Sequence, residues 1–167
     1  MRTHRSGSLE MVGDVKFALG AGKGVAEDYI LAFDRALREA GFSDYNLLKV
    51  SSVLPAGARL VGAVDMPKGS LLPIAFGEKA SNVRGQRIGA AVAVAVPESP
   101  KDIGIIMEVT GEESADLLRK KAEALALLAM EDRGIAVKEV LSAGVDAVVE
   151  EGYTCVFAGV AIWKGQG

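Results

Sequence analysis

Cysteine and histidine are almost absent from this chain of 167 residues, which contains one of each. The single cysteine, Cys155, excludes an internal disulfide, a CxxC redox pair and a cysteine-rich zinc site. The single histidine, His4, argues against Ser-His-Asp catalysis and against histidine metal ligation. We therefore expect a protein of the reducing cytoplasm whose chemistry uses no metal.

Long apolar runs and clusters of like charge are also missing. The longest apolar run, Ile88 to Val96, is too short to cross a bilayer, and no apolar core follows Arg2 and Arg5 as a secretory signal requires. The 19 basic and 22 acidic residues are spread along the chain and give a net charge of -3. No basic stripe is available to nucleic acid or anionic lipid, so we expect neither a nucleic-acid nor a membrane partner.

The residues that are present indicate a globular protein. Half of the chain is hydrophobic, 25% is charged and 20 residues are glycine. This length suits one well-buried core, so residues 1–167 are predicted to form a single domain with a flexible terminus at residues 1–12.

The apolar pattern predicts eight strands and two helices. Helix 1 is predicted over 27–40, with Ile30, Phe33 and Leu37 on its buried face and Gly41 as its end. Helix 2 is predicted from a capping box at Thr110 to about Asp132, with Leu117, Lys121 and Leu128 on its buried face. The predicted strands are 14–19, 45–51, 59–64, 71–79, 88–96, 103–109, 135–149 and 153–163.

Two helices cannot supply crossovers for eight strands, so the sheets are predicted to be mainly antiparallel or mixed. The strand at 88–96 lacks polar alternation, which is typical of burial on both faces. The predicted fold class is therefore α+β, a layered α-β-β-α sandwich with the helices outside.

The glycine-rich segment Gly20-Ala-Gly-Lys-Gly24 precedes helix 1 and invites comparison with phosphate-binding loops. Lys23 is followed by glycine instead of Ser or Thr, and Val25 occupies the place of the last glycine of GxGxxG. We interpret the segment as a flexible connection.

The segment Asn46-Leu-Leu-Lys-Val-Ser51-Ser52-Val-Leu-Pro55 carries the most specific chemistry. The Ser52 hydroxyl can attack the carbonyl of Ser51 and convert the peptide bond into an ester. Elimination and hydrolysis would then leave a pyruvoyl group, an electrophilic ketone that no unmodified side chain supplies. The alternative is that two serines simply cap or turn the end of a strand.

The chain resembles the pyruvoyl-dependent arginine decarboxylase family from about residue 15 to residue 163. Besides Asn46 to Pro55, the resemblance is carried by Ala32-Phe-Asp34-Arg-Ala-Leu37, Met66-Pro-Lys-Gly69 with Leu72-Pro-Ile-Ala-Phe-Gly77, and Ile105-Ile-Met-Glu108. It implies that the chain cuts itself between Ser51 and Ser52 into residues 1–51 and 52–167, fragments of 51 and 116 residues. Ser52 would become the pyruvoyl cofactor, with no pyridoxal phosphate and no metal.

The resemblance also assigns roles to other residues. Asn46 matches the asparagine that assists self-cleavage, and Glu108 matches the proton donor. A buried carboxyl has a raised pKa and stays protonated near neutral pH, although an outward-facing Glu108 is equally compatible with the pattern. Tyr45 and Val53 flank the cleavage segment and are expected to line the substrate slot, unless they serve the core.

Asp34 matches the residue that holds the substrate guanidinium through two parallel hydrogen bonds. The alternative is an ordinary solvated charge, and nearby Arg35 and Arg38 are competing partners for this carboxylate.

The function implied is conversion of L-arginine to agmatine and CO2 through a Schiff base. The expected assembly is a homo-oligomer, a trimer of cleaved units or a dimer of trimers, with active sites between subunits. Two alternatives remain open, decarboxylation of another amino acid and a non-catalytic oligomerisation module whose serines never react.

Overall fold

The computed structural model describes residues 14–165, so His4 and the predicted flexible terminus at 1–12 lie outside the described part. Within 14–165 the chain forms nine strands and two helices. In chain order they are β1 (Val15–Ala26), α1 (Tyr29–Ala40), β2 (Asn46–Lys49), β3 (Val53–Leu54), β4 (Arg59–Leu60), β5 (Leu71–Ser81), β6 (Arg87–Pro97), β7 (Gly104–Gly111), α2 (Ala115–Asp132), β8 (Val137–Val148) and β9 (Tyr153–Lys164).

The strands form two sheets that pack face to face. Sheet A has the order β2-β5-β9-β1-β4, and sheet B has the order β3-β7-β6-β8. All pairs are antiparallel except β1 with β4 and β2 with β5. Helix α1 covers the outer face of sheet A and α2 the outer face of sheet B. The predicted α-β-β-α fold class is confirmed.

Strand β6 shows why sheet B has almost no polar alternation. Val92 and Val94 face sheet A in the central core, whereas Ala93 and Ala95 face α2. Both faces of the strand are buried, so its sequence is apolar throughout. No helix within residues 14–165 is long and apolar enough to cross a membrane.

The predicted flexible loop at Gly20 to Gly24 is wrong, because β1 continues through it to Ala26. A Cβ atom added to Gly20, Gly22 or Gly24 would lie less than 3.0 Å from a backbone carbonyl oxygen of α1. The facing helix residues are Ala40, Ala36 and Ala32, respectively. A step of two residues along a strand and a step of four residues along a helix both span roughly 6 to 7 Å. Glycines two residues apart on β1 therefore lie opposite alanines four residues apart on α1.

This contact also changes the buried face predicted for α1. Ala32, Ala36 and Leu37 are buried, whereas Ile30 is 74% exposed. The predicted burial of Leu37 is therefore confirmed, Phe33 is partly buried against the same core, and the prediction for Ile30 is wrong. The helix begins after its N-cap Asp28, and the predicted end at Gly41 is confirmed, with a φ of 93°.

The predicted start and buried face of α2 are wrong as well. Thr110 belongs to β7, and Ser114 caps the helix by accepting a hydrogen bond from the backbone N–H of Leu117. The buried face carries Leu118 and three alanines, whereas Leu117 and Leu128 are exposed. The predicted end at Asp132 is confirmed.

Candidate active site

The Ser51–Ser52 peptide bond lies where the chain crosses from sheet A to sheet B. Just before it, the backbone N–H of Val50 donates to the carbonyl of Ile74 in sheet A, at 3.0 Å. Just after it, the carbonyl of Ser52 accepts from the backbone N–H of Ile106 in sheet B, at 2.8 Å. The bond is therefore held from both sheets, with Ser51 exposed and Ser52 partly buried.

Glu108 lies two residues beyond Ile106 on β7, and alternate residues of a strand share a face. Ile106 belongs to the core between the sheets, so Glu108 faces sheet A as well. Its side chain packs against Gly77 of β5, where an added Cβ would lie 3.6 Å from the Cβ of Glu108. Ser52 and Glu108 are thus brought together at one edge of the sandwich.

The environment of Glu108 favours its neutral form. Within residues 14–165, its Oε2 atom is buried and has no hydrogen-bond partner. Burial raises the pKa of this carboxyl, while the positive charge of Lys49 and a backbone hydrogen bond act in the opposite direction. A carboxyl whose pKa is raised by burial is chemically suited to act as a proton donor.

Val53 is one of the two residues of β3. This strand was not predicted from the sequence, because a segment of two residues shows no periodicity. Val53 pairs with Ile105 of β7 and is 44% exposed. Val53 therefore sits at the rim beside Ser52, on the open edge of sheet B.

Tyr45 lies elsewhere. It is half-buried in the core between sheet A and α1, and its hydroxyl donates to the backbone carbonyl of Met66 at 3.3 Å. Of the two alternatives for Tyr45, lining the substrate slot or packing in the core, this position agrees with packing in the core.

Asn46 begins β2, whereas the scissile bond follows the end of that strand. At about 3.3 Å per residue, Asn46 and Val50 are separated by roughly 13 Å. The Asn46 side-chain amide donates to the carbonyl of Gly69 at 2.8 Å. Within one chain, Asn46 is not brought to the Ser51 carbonyl.

Asp34 lies on the solvent face of α1, opposite the alanines that contact sheet A. In the described part of the chain its carboxylate has neither an ion pair nor a hydrogen bond. Arg35 instead donates to the carbonyl of Val25 at 2.6 Å, so the competing pair with Arg35 does not form. Sheet A separates Asp34 from Glu108 within one chain.

Two charged residues, Lys49 and Glu78, were not predicted from the sequence to belong near the site. Lys49 ends β2, and a charged residue within a strand was the one feature of the sequence that could have indicated it. Glu78 of β5 accepts from the Tyr29 hydroxyl at 2.9 Å and from the Cys155 thiol at 3.7 Å. Burial, followed by this carboxylate, raises the pKa of both Tyr29 and Cys155 to about 12, so the buried thiol stays protonated.

The described residues show no cluster of three or more His, Cys, Asp or Glu side chains suited to a metal ion.

A family model described as pyruvoyl-dependent arginine decarboxylase matches residues 16–165. The chain belongs to this family. The resemblance and the enzyme class expected from the sequence are confirmed, and membership of a pyruvoyl-dependent family implies a covalent pyruvoyl cofactor.

Curated relatives agree with the family model. The pyruvoyl-dependent arginine decarboxylase of Methanococcus aeolicus is 38% identical over 150 residues, covering 87% of this chain and 88% of that protein. That of Methanocaldococcus jannaschii is 36% identical over 146 residues, with 87% and 88% covered. Pyruvoyl-dependent arginine decarboxylase 2 of Archaeoglobus fulgidus is 34% identical over 155 residues, with 89% and 96% covered.

Among solved structures, a pyruvoyl-dependent histidine decarboxylase at pH 8 superimposes with a TM-score of 0.45 and 13% identity. It covers 64% of this chain and 55% of that one.

Proposed function

We propose that this family member forms its pyruvoyl group from Ser52 and converts L-arginine to agmatine and CO2. The observation that carries the proposal is the register between β3 and β7, which sets Ser52 beside Ile106 and hence near Glu108. When formed, the pyruvoyl ketone supplies an electrophile for the substrate amine and takes up the electrons released with CO2.

The bonds that change during cleavage all belong to Ser51 and Ser52. The Ser52 hydroxyl attacks the Ser51 carbonyl, and the peptide nitrogen leaves as a free amine while an ester forms. Elimination then releases Ser51 as a carboxylate, and hydrolysis of the remaining dehydroalanine gives the ketone and ammonia. Hydrogen bonds at Val50 and Ser52 hold the chain on both sides of this bond, which favours a fixed attack geometry.

Glu108 delivers the proton that replaces CO2 on the substrate carbon. Its neutral form is stabilised by burial against Gly77, so the proton is available at pH values at which an exposed glutamate is ionised. The Oε2 atom of this carboxyl is buried beside the apolar core, which limits its contact with bulk water.

The substrate guanidinium is bound by Asp34 of a second copy. Within one chain Asp34 lies on the outer layer, and its carboxylate makes no ion pair among residues 14–165. Carboxylate and guanidinium form a bidentate pair that an ammonium cannot reproduce. This favours arginine over lysine.

Exposed apolar side chains mark both halves of this contact. Leu48, Val53 and Leu71 lie around the cleavage segment, and Leu71 is 62% exposed. Ile30 and Leu31, both exposed, flank Asp34 on α1. A contact between two different patches generates a ring when it closes, in agreement with the expected trimer.

The same contact gives Asn46 its role in self-cleavage. One N–H of its amide is used by Gly69, and the other is free for the Ser51 carbonyl of a neighbouring copy. Asn46 shares a strand face with exposed Leu48, which supports a position on the proposed contact side.

Mass spectrometry of the purified protein tests the cleavage. We expect two species corresponding to 1–51 and 52–167, the larger of which is trapped with arginine by borohydride. A Ser52→Ala variant should give one uncleaved chain without activity. A wild-type chain that remains whole and cannot be trapped supports the non-catalytic module instead.

Substrate preference tests Asp34. An Asp34→Ala variant that still cleaves itself should lose arginine turnover through a higher KM, and Asp44→Ala serves as a control on an exposed carboxylate outside the site. If arginine turnover hardly changes while another amino acid is decarboxylated faster, the guanidinium assignment is wrong.

Mixed oligomers test the shared site. At arginine concentrations well below the KM of Asp34→Ala, neither Asp34→Ala nor Glu108→Gln chains should turn over arginine appreciably on their own. In a randomly mixed closed ring, however, about a quarter of the sites receive Glu108 from one variant and Asp34 from the other. We expect about that fraction of wild-type activity, provided that the Asp34→Ala chains are cleaved. No recovery after verified mixing places both residues in one copy and contradicts the shared site.

A further inference from the structure

Lys49 occupies a defined position close to the scissile bond. It is the last residue of β2, three residues before Ser52, and it pairs with Ile74 of β5. Its Nζ atom lies 4.8 Å from the ring centroid of Phe76, which is within cation–π range. The ammonium is therefore held at the edge of sheet A although the side chain is exposed.

Glu108 approaches the same point from the other side of the sheet. Its side chain packs on Gly77, the residue after Phe76, and consecutive strand residues point to opposite faces. The ammonium and the carboxyl make no ion pair within 4.0 Å among the described residues. The lysine charge acts across the edge of the sheet, where it opposes the effect of burial on the pKa of Glu108.

We propose that Lys49 is a positioning residue for the decarboxylation, and that its positive charge, held over Phe76, makes the buried Glu108 a better proton donor. The inference rests on the proposed role of Glu108. Burial raises the pKa of the carboxyl, which favours the protonated form but also makes the proton harder to release. A cation nearby stabilises the carboxylate that forms when the proton leaves, and the position of Lys49 permits this without direct contact.

The arrangement persists after self-cleavage. Lys49 belongs to the smaller fragment, but the pairing of β2 with β5 and the hydrogen bond from Val50 to Ile74 hold it beside the larger fragment. The charge is therefore in place during turnover.

Other charges around Glu108 provide controls. Lys79 lies two residues after Gly77 on β5 and shares its face. Glu78 points to the opposite face and accepts from Tyr29. The residue of β6 paired with Glu108 is the apolar Val92. Lys79 is thus the matched lysine, because it lies on the same strand as Gly77 and shares its face, whereas the charge that opposes the effect of burial at Glu108 is that of Lys49.

The test is the pH dependence of kcat for cleaved wild-type, Lys49→Met, Lys49→Arg and Lys79→Met enzymes with arginine. Loss of the cation disfavours the carboxylate, so the alkaline limb of Lys49→Met should move to higher pH, with a lower maximal kcat and an unchanged KM. Lys49→Arg and Lys79→Met should keep the wild-type limb. Phe76→Leu, which releases the ammonium, should move the limb in the same direction by a smaller amount.

The inference is overturned if the alkaline limb of kcat for Lys49→Met lies at the same pH as that of the wild-type enzyme or at a lower pH. A raised KM with an unchanged alkaline limb also overturns it. A second readout is independent of activity and of cleavage. In the Ser52→Ala background, carbon-13 NMR of labelled glutamate carboxyls should show Glu108 titrating at higher pH when Lys49 is replaced by Met. An unchanged titration overturns the inference.

Glu108→Gln separates this inference from the proposed function. If that variant retains wild-type kcat and limb, Glu108 is not the proton donor and the proposed function fails at that step. If it loses activity while Lys49→Met shows no shift, only the role of Lys49 is wrong.

Discussion

Glu108 combines a partly buried carboxyl, an Oε2 atom with no hydrogen-bond partner among residues 14–165, and a glycine neighbour. Its raised pKa has a consequence for stability as well as for catalysis. In the pH range between the unfolded and folded pKa values the folded protein keeps a proton that the unfolded chain has lost. The stability contributed by the neutral carboxyl is present below the unfolded pKa and is lost as the pH rises through the folded value.

Replacement by glutamine should expose this effect. In an uncleaved Ser52→Ala background, Glu108→Gln should have nearly the same free energy of unfolding as its parent at about pH 4, because both side chains are then largely neutral. As the pH rises to about 8, the glutamine variant should become relatively more stable. Urea unfolding across this range measures the difference. A parent that gains stability relative to the variant with rising pH would show that the Glu108 pKa is lowered.

At the scale of elements, the contact between β1 and α1 depends on three glycines in a strand. Gly22 lies at the centre of this contact, where an added Cβ would come within 3.0 Å of the backbone of Ala36 and Ala40. Because neither backbone can move independently, the helix must lift away from the sheet to accept a larger residue. Buried alanines of α1 then lose part of their packing.

Gly22→Ala should therefore lower the free energy of unfolding by about 1 to 3 kcal/mol, the range for an overpacked core. Gly62→Ala is the matched control, because an added Cβ there meets nothing within 4 Å. Chemical denaturation of both variants checks the comparison. Equal stabilities would mean that α1 is held by something other than this close contact.

At the scale of the whole molecule, the proposed cut divides the sandwich between interleaved fragments. The smaller fragment contains β1, α1 and β2, and the larger fragment contains their partners β9 and β5. Strand β1 pairs with β9 over its full length, from Val15 opposite Lys164 to Ala26 opposite Tyr153. The central core also takes side chains from both fragments.

The cleaved protein should consequently behave as one particle. We expect fragments 1–51 and 52–167 to elute together under native conditions and to separate only in denaturant. Size-exclusion chromatography followed by denaturing electrophoresis measures this, with uncleaved Ser52→Ala as the reference. Loss of the smaller fragment on a native column would contradict the interleaved arrangement.

The sequence allowed good prediction of long buried strands and poor prediction of what covers them. The strand predicted at 153–163 is observed as Tyr153–Lys164, because its apolar residues require burial in any compact fold. The buried face of α2 was mispredicted, and Ile30 of α1 was wrongly expected to be buried, because large apolar residues were assumed to point inward. Each helix instead packs close to its sheet mainly through alanines, together with Leu37, Leu118 and Met130, and leaves Leu117 and Ile30 exposed.

For the candidate site, the chemistry of neighbouring residues could be predicted from the sequence, but the spatial arrangement of distant residues could not. The reactivity predicted for Ser51-Ser52 is a property of adjacent atoms, and it can be proposed without knowledge of the fold. The grouping of Glu108 with Ser52, and the separation of both from Asn46 and Asp34, depends on strand register and on the layer that each element occupies. Lys49 was missed because its relation to Glu108 exists only across the edge of a sheet.

Composition and periodicity by themselves determined the layered α+β class, and the serine pair indicated an unusual, reactive backbone linkage, whereas the decarboxylase activity was implied only by the resemblance to a known family. Composition, periodicity and the serine pair act through short-range physics, namely burial of apolar side chains and covalent proximity. Tertiary structure alone decided that Gly20 to Gly24 is a strand, that the linkage spans two sheets, and which charges surround Glu108. These features arise from contacts between residues distant in the chain, and no local pattern of the sequence encodes them.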